Sequence, residues 1–156
     1  MNTECLRIAD QLHRAFEGDA WHGPALREIL SGVEEEHAAS HGVAGVHSIW
    51  ELVNHIETWE RVALRAVSGI AMPKSMPPER DWPPISRGAW EAATNQLFAT
   101  NAQLCHVIRN FQDVRLPETV PGRSYDFYHL FHGMVQHGLY HAGQIMLLRK
   151  TIPVNH

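Results

Sequence analysis

Two histidines four residues apart, His137 and His141, are the strongest candidates for chemistry in this chain of 156 residues. Residues at this spacing lie on one face of an α-helix, so both imidazoles can reach a single ion. The same face carries apolar residues that we expect to point into the core, namely Leu130, Met134, Ile145 and Leu148. Because an unpaired polar group in a core costs about a few kcal/mol, the pair either binds a metal or hydrogen-bonds to buried neighbours. The spacing by itself favours neither outcome.

A third histidine, His55, lies on the apolar face of another predicted helix, between Leu52 and Trp59. Three histidines from two facing helices would bind one ion and leave positions free for water or substrate, as in catalytic rather than structural sites. Helical bundles commonly hold such sites in their cores. Taken alone, His55 fits a hydrogen-bonded core histidine better than a ligand, but the three together favour a metal.

Three neutral imidazoles leave the full charge on a divalent ion, which promotes loss of a proton from a bound water or thiol. No catalytic residue is assigned, and two side chains are weak candidates for assisting the site. Gln144 follows His141 by three residues and can contact the site, although a helix–helix contact explains it equally well. Glu51 lies one turn before His55, but it also completes a capping box with Ser48, and we favour the capping role.

The composition also directs attention to histidine. The chain has 12 histidines against 13 lysines and arginines, and imidazole is the commonest metal ligand in proteins. The formal net charge of −4 argues against nucleic acid and membrane surfaces as partners, since both require a basic face. We therefore expect a small-molecule substrate.

Other metal-binding patterns fit the sequence less well. A di-iron bundle needs two inward Glu-x-x-His motifs and two further glutamates, and only Glu34-x-x-His37 has the required spacing. That motif begins in the charged run 34–36, which is typical of a solvated surface. The remaining histidines have no comparable pairing, although His47 and His132 are placed near the expected mouth of the site.

Four segments have the periodicity of amphipathic helices, and none alternates like a strand. We expect helices over about Thr3–Glu17, from Ser48 to near Gly69, from Arg87 to Phe111 with Ser86 as N-cap, and from Ser124 to about Lys150. A minor helix is expected within residues 25–30, whereas five prolines in residues 70–85 exclude helix and central strand there. The long connections predict an all-α four-helix bundle with crossover loops, as a single domain over residues 1–156.

Three glycines interrupt the fourth predicted helix at Gly133, Gly138 and Gly143. Each costs about 1 kcal/mol of helix stability relative to alanine. We expect them to allow a close approach of neighbouring helices around the histidines.

The cysteines and the terminal residues predict where the protein resides. Cys5 and Cys105 are far apart and have no CxxC spacing, so we expect buried free thiols in a reducing compartment. The polar start of the chain lacks the apolar stretch of a signal peptide, and no apolar run is long enough for a membrane span. These features predict a cytoplasmic protein.

Two strings of residues resemble the DinB/YfiT-like superfamily of bacterial four-helix bundle proteins. One is residues 47–60, HSIWELVNHIETWE, and the other is residues 136–145, QHGLYHAGQI. Shorter similarities at residues 21–24, 81–84 and 120–122 extend the resemblance over nearly the whole chain. The resemblance implies that His55, His137 and His141 bind a divalent metal, commonly nickel or zinc, and that the protein is a homodimer.

The resemblance also implies two kinds of function. Members of the superfamily include metal-dependent hydrolases and enzymes that use a low-molecular-weight thiol such as bacillithiol, mycothiol or glutathione. We therefore expect a metal-dependent enzyme acting on a small electrophile, either a thiol S-transferase with such a thiol as co-substrate or a hydrolase. The alternative is a non-catalytic, metal-binding stress-response bundle, because the sequence offers no assured acid–base partner for the site.

Overall fold

The protein is all helical over residues 3–151, the part of the chain that the computed structural model describes. Its elements are α1 (Thr3–Glu17), α2 (Leu26–Leu30), α3 (Glu35–Ala39), α4 (Ile49–Val67), α5 (Pro78–Asp81), α6 (Trp90–Asn110), a 3-10 helix (Asp113–Arg115) and α7 (Phe127–Thr151). Within residues 3–151 the only extended pairing is an isolated antiparallel bridge between Thr119 and Asp126. The prediction of an all-α fold is therefore confirmed.

The four long helices pack in a ring, in which α1 and α4 each contact both α6 and α7. The connections from α1 to α4 and from α6 to α7 therefore cross the ring, as the long loops predicted. Side chains from all four helices fill the centre, the largest being Phe16, Trp50, Leu97 and Phe131. Because α4 and α7 are neighbours, the histidine on one helix can face the pair on the other.

The N-terminal cap of α4 sets the register of its histidine. The Ser48 hydroxyl accepts a hydrogen bond from the Glu51 amide at 3.2 Å, and the Glu51 carboxylate accepts one from the Ser48 amide at 2.7 Å. This is the predicted capping box, which pairs amides that the helix start would leave unsatisfied. With its start defined, α4 turns His55 inward together with Leu52 and Ile56.

Two other helix starts differ from the prediction. The helix expected after Ser86 begins only at Trp90, because Gly88 has a φ of +79° and the Ala89 amide closes a turn onto the Ser86 carbonyl. The last helix begins at Phe127 rather than after Ser124. There the Asp126 carboxylate accepts a hydrogen bond from the His129 amide at 2.9 Å, as an N-cap does.

Two short helices were not predicted. The proline-rich segment contains α5, so the exclusion of helix from residues 70–85 is wrong for these four residues. Proline is tolerated in the first turn of a helix, because the amide that it lacks would have no partner there, and Pro78 occupies that position. The charged run around Glu35 forms α3, whose contact with the core is the buried Ala38.

A buried polar network joins α4 to α6. The Thr100 hydroxyl donates to the Glu57 carboxylate at 3.1 Å, and the Asn101 amide donates to the Glu60 carboxylate at 2.6 Å. Glu60 is fully buried, and burial raises the pKa of its carboxyl to about 8, with the nearby Glu57 adding to the increase. Glu60 therefore carries a proton at neutral pH.

The structure bears on the predicted free thiols and on the predicted absence of a membrane span. Cys5 and Cys105 are free and buried, as predicted. Among residues 3–151, no helix is both long enough and apolar enough to cross a lipid bilayer.

The glycine between the two histidines of α7 marks a close approach of that helix to α1. A Cβ built at Gly138 would lie 2.6 Å from Cε2 of Phe16, whose ring is fully buried and has no space to retreat. A Cβ at Gly133 or at Gly143 would meet nothing within 4 Å. The expected close approach is therefore confirmed at Gly138 and wrong at the other two glycines.

Replacing Gly138 by alanine should destabilise the protein by about 1–3 kcal/mol, because the added methyl group overpacks the Phe16 ring. The matched variant Gly143→Ala has open space around its Cβ and should gain up to about 1 kcal/mol from the better helix propensity of alanine. Urea unfolding of both metal-free variants measures the difference. Equal effects of the two substitutions would contradict the close contact.

The buried Glu60 carboxyl should make stability depend on pH. Its pKa is about 8 in the folded protein and 4.5 in the unfolded chain. The contribution of this carboxyl to the free energy of unfolding is therefore complete below pH 4.5 and is lost as pH rises through 8. Glu60→Gln keeps an acceptor for Asn101 and cannot ionise. The stability of the wild type relative to this variant should therefore fall between pH 5 and pH 9, as followed by urea unfolding. A constant difference across that range would show that Glu60 does not titrate there.

Candidate metal centre

Three histidine side chains converge where α4 packs against α7. The Nε2 atom of His137 lies 3.1 Å from Nε2 of His55 and 3.1 Å from Nε2 of His141. One ring nitrogen from each residue lies within 4.8 Å of the other two, and these three residues are the only such group of potential ligands within residues 3–151. The structure thus brings together the residues that the helical spacing selected.

The His55 ring is held by the C-terminal end of α5 and the residue that follows it. Its Nδ1 lies 2.8 Å from the Asp81 carbonyl oxygen and 3.2 Å from a carboxylate oxygen of the same residue. Both atoms are acceptors, so Nδ1 carries the proton and the lone pair of Nε2 points to the other histidines. The Trp82 ring stacks on the imidazole with the ring centroids 3.9 Å apart, which fixes the plane of the ring.

The His141 ring is held by its own helix. Its Nδ1 lies 2.6 Å from the amide oxygen of Gln144, one turn further along α7. That contact assigns the proton to Nδ1 and again leaves the Nε2 lone pair directed into the cluster. Gln144 therefore contacts a candidate ligand from behind, which is one of the two roles that the sequence left open for it.

The third ring, His137, has no such support. Its Nδ1 is buried and has no hydrogen-bond partner among the described residues. Its Nε2 can donate a proton to one neighbouring Nε2 at most, so at least one close pair of nitrogens has facing lone pairs. A cation between the rings would remove this repulsion, and nitrogens that each bond to one ion at about 2.1 Å lie no more than about 4.2 Å apart. The donor set therefore fits a metal ion.

Burial keeps the cluster in the form that metals bind. It lowers the pKa of His137 to about 3, with further lowering from the neighbouring His141 and His55. Burial is also the main cause that lowers the pKa of His55 and of His141. All three imidazoles are therefore neutral at physiological pH, which metal ligation requires.

Asp81 and Trp82 are functional candidates that sequence reasoning missed. Besides holding His55, the Asp81 carboxylate accepts a hydrogen bond from the Trp59 indole at 2.8 Å, and the Trp82 ring also stacks on His47 at 3.5 Å. Residues 81–84 belonged to the family resemblance, but no periodicity or spacing relates them to α4. Only the tertiary placement of α5 against α4 brings them over His55.

The other residues that the sequence suggested for the site have different roles. The Glu51 carboxylate caps α4 and also lies 3.1 Å from Nε2 of His41 and 3.4 Å from Nδ1 of His47, so the favoured capping role is confirmed. His132 faces α1, where its Nε2 lies 3.9 Å from the carboxylate of Glu4. His47, the other histidine expected near the mouth of the site, lies beside the cluster. It stacks on the Trp82 ring, which covers His55.

An open cleft of about 190 Å³ reaches the cluster from the side of His137. Its walls are mainly apolar and include Trp59, Met72, Leu130 and Met134. Small ligands bind in such apolar recesses when a few polar groups fix their orientation. The cleft therefore gives a small molecule a route to His137.

Residues 19–145 match the sequence profile of the family described as the DinB superfamily, and this range contains all three histidines of the cluster. No curated protein and no solved structure matches the chain.

Proposed function

The chain belongs to the DinB superfamily, and from this membership and the converging nitrogens we propose that His55, His137 and His141 bind one divalent metal ion. The observation that carries the proposal is the pair of 3.1 Å separations between Nε2 atoms, which hydrogen bonds among three neutral rings cannot both satisfy. Imidazole ligands suit zinc, nickel, copper and iron, and we propose nickel or zinc.

The surrounding residues hold the ligands in place before an ion arrives. Asp81 and Gln144 keep the protons of two rings on Nδ1, and Trp82 prevents rotation of the His55 ring. Such supporting contacts commonly change metal affinity by about 10–100-fold. The rings of His55 and His141 are therefore preorganised, and these two side chains lose little conformational entropy when they bind an ion.

We further propose that the protein is a metal-dependent enzyme acting on a small electrophile, as a thiol S-transferase with a low-molecular-weight thiol or as a hydrolase. Three protein ligands leave coordination positions open, and the apolar cleft beside His137 can accept a small substrate. When bound, the ion supplies Lewis acidity that favours the deprotonated form of a water or thiol. Trp59 and Met134 give the approach an apolar lining.

The alternative proposal is a non-catalytic metal-binding stress-response protein. It is favoured by the absence of any carboxylate from the group of potential ligands within residues 3–151. The Asp81 carboxylate beside His55 is already engaged by Nδ1 of that ring and by the Trp59 indole. Under either proposal we place the protein in the cytoplasm as a homodimer.

Metal-free protein should bind one zinc or nickel ion per chain in a calorimetric titration with competing chelator. His55→Ala, His137→Ala and His141→Ala should each lower the affinity by more than about 100-fold, since each removes a ligand rather than a supporting contact. Gln144→Leu should lower it by about 10–100-fold. His132→Ala is the matched control, because that ring faces Glu4 on α1. An equal loss in His132→Ala, or undiminished binding in the three ligand variants, would refute the metal site.

Enzymatic activity is tested separately with metal-loaded protein. We expect turnover of an activated aryl chloride with bacillithiol, mycothiol or glutathione, or of an activated nitrophenyl ester with water, followed by product absorbance. His141→Ala should abolish turnover, and His132→Ala should preserve it. If the metal binds and raises the melting temperature but no thiol and no ester reacts, the non-catalytic alternative is correct.

A further inference from the structure

A cleft larger than the one beside His137 is separate from the histidine cluster. It has a volume of about 700 Å³ and lies between one face of α4 and the segment 71–83. The α4 face presents Thr58, Arg61, Val62 and Arg65, which follow one another at helical spacing. Volumes of about 300–1,000 Å³ are usual for sites that bind small molecules.

The charge of this cleft is opposite to that of the whole chain. Arg61, Arg65 and Arg80 line it, whereas Glu79 is its only carboxylate, and the formal net charge of the protein is −4. Arg61 lies 3.4 Å from the carboxylate of Glu57. No such partner is present within residues 3–151 for the side chains of Arg65 and Arg80, which leaves two guanidinium groups free at the cleft wall.

A buried hydroxyl on the same wall also lacks a partner. Thr58 lines the cleft, its side chain is only 5 % exposed, and its Oγ1 has no hydrogen-bond partner in the described structure. Threonine hydroxyls in helices commonly bond to a carbonyl one turn back, so an unpaired one is unusual. A buried polar atom without a partner costs about 1–3 kcal/mol unless a ligand or water satisfies it.

We propose that this cleft is a binding site for the anionic group of a small molecule, a phosphate or a carboxylate. Free guanidinium groups of Arg65 and Arg80 would bind its oxygens, since arginine presents paired donors that match both anions. Thr58 lines the same wall, and a rotation of its side chain would let the buried hydroxyl donate a further hydrogen bond. Local charge, rather than the net charge of the chain, attracts the anion, because the Debye length is only about 8 Å at physiological salt.

The cleft and the histidine cluster use neighbouring residues of α4 and α5. Thr58 lies three residues after His55 on α4, and Arg80 directly precedes Asp81, whose carbonyl holds the His55 ring. A ligand bound by Arg80 therefore contacts the segment that orients a candidate metal ligand. The anion site itself depends only on the cleft residues and is independent of the proposed metal.

The test is a calorimetric titration of the full chain, freed of metal with EDTA and desalted, at low ionic strength. Pyrophosphate and tricarballylate are the probes, and metal-free protein prevents binding of either probe through an ion at the histidines. We expect saturable binding of at least one probe, weakened by added salt, and the tighter probe identifies the preferred anion. Arg65→Gln and Arg80→Gln should each weaken binding by about tenfold or more, as loss of a charge-assisted hydrogen bond does.

Matched variants separate a built site from general attraction to positive charge. Arg7→Gln removes an arginine of α1 that is 73 % exposed and lies outside the cleft, so its affinity should equal that of the wild type. Thr58→Val preserves the shape of the side chain but removes its hydroxyl. It should weaken binding of the anionic probe when the probe occupies the cleft. Absence of saturable binding for both probes, or equal weakening by Arg7→Gln and Arg65→Gln, would overturn the proposal. Neither result would bear on metal binding by the histidines.

Discussion

The close packing of α4 against α7 is the contact on which the candidate metal centre depends. It places three imidazole nitrogens in one buried volume, where His137 lies 3.1 Å from each of the other two. Neutral rings at these distances cannot all satisfy one another by hydrogen bonding, because one ring nitrogen donates a single proton. The fold therefore maintains a local arrangement that is unfavourable without a cation, and the rest of the bundle must stabilise it.

Several features of the bundle provide that stability. Gly138 lets α7 approach the Phe16 ring of α1, and the capping box at Ser48 sets the start of α4. The large buried side chains of all four long helices then hold the two helices at a fixed distance. Because the histidines are carried by long helices rather than by loops, their spacing is set by helix geometry and core packing together.

The segment between α4 and α6 connects the features that lie outside the bundle core. Asp81 and Trp82 orient the His55 ring, while Arg80, the residue directly before them, lines the basic cleft. Anion binding in the proposed cleft and ligation at the proposed metal centre would therefore act on neighbouring residues of a single short stretch.

Hydrophobic periodicity, together with one cap, was sufficient to predict the four long helices and the inward faces of His55, His137 and His141. These are local properties, since the helical repeat decides which side chains share a face. The starts of α6 and α7 were misplaced because turns at Gly88 and Asp126 competed with helix propensity. The positions of Asp81 and Trp82, the buried Glu60 network and the basic cleft were decided by tertiary structure alone. Each joins residues distant in sequence, and only the packing of the whole chain determines such contacts.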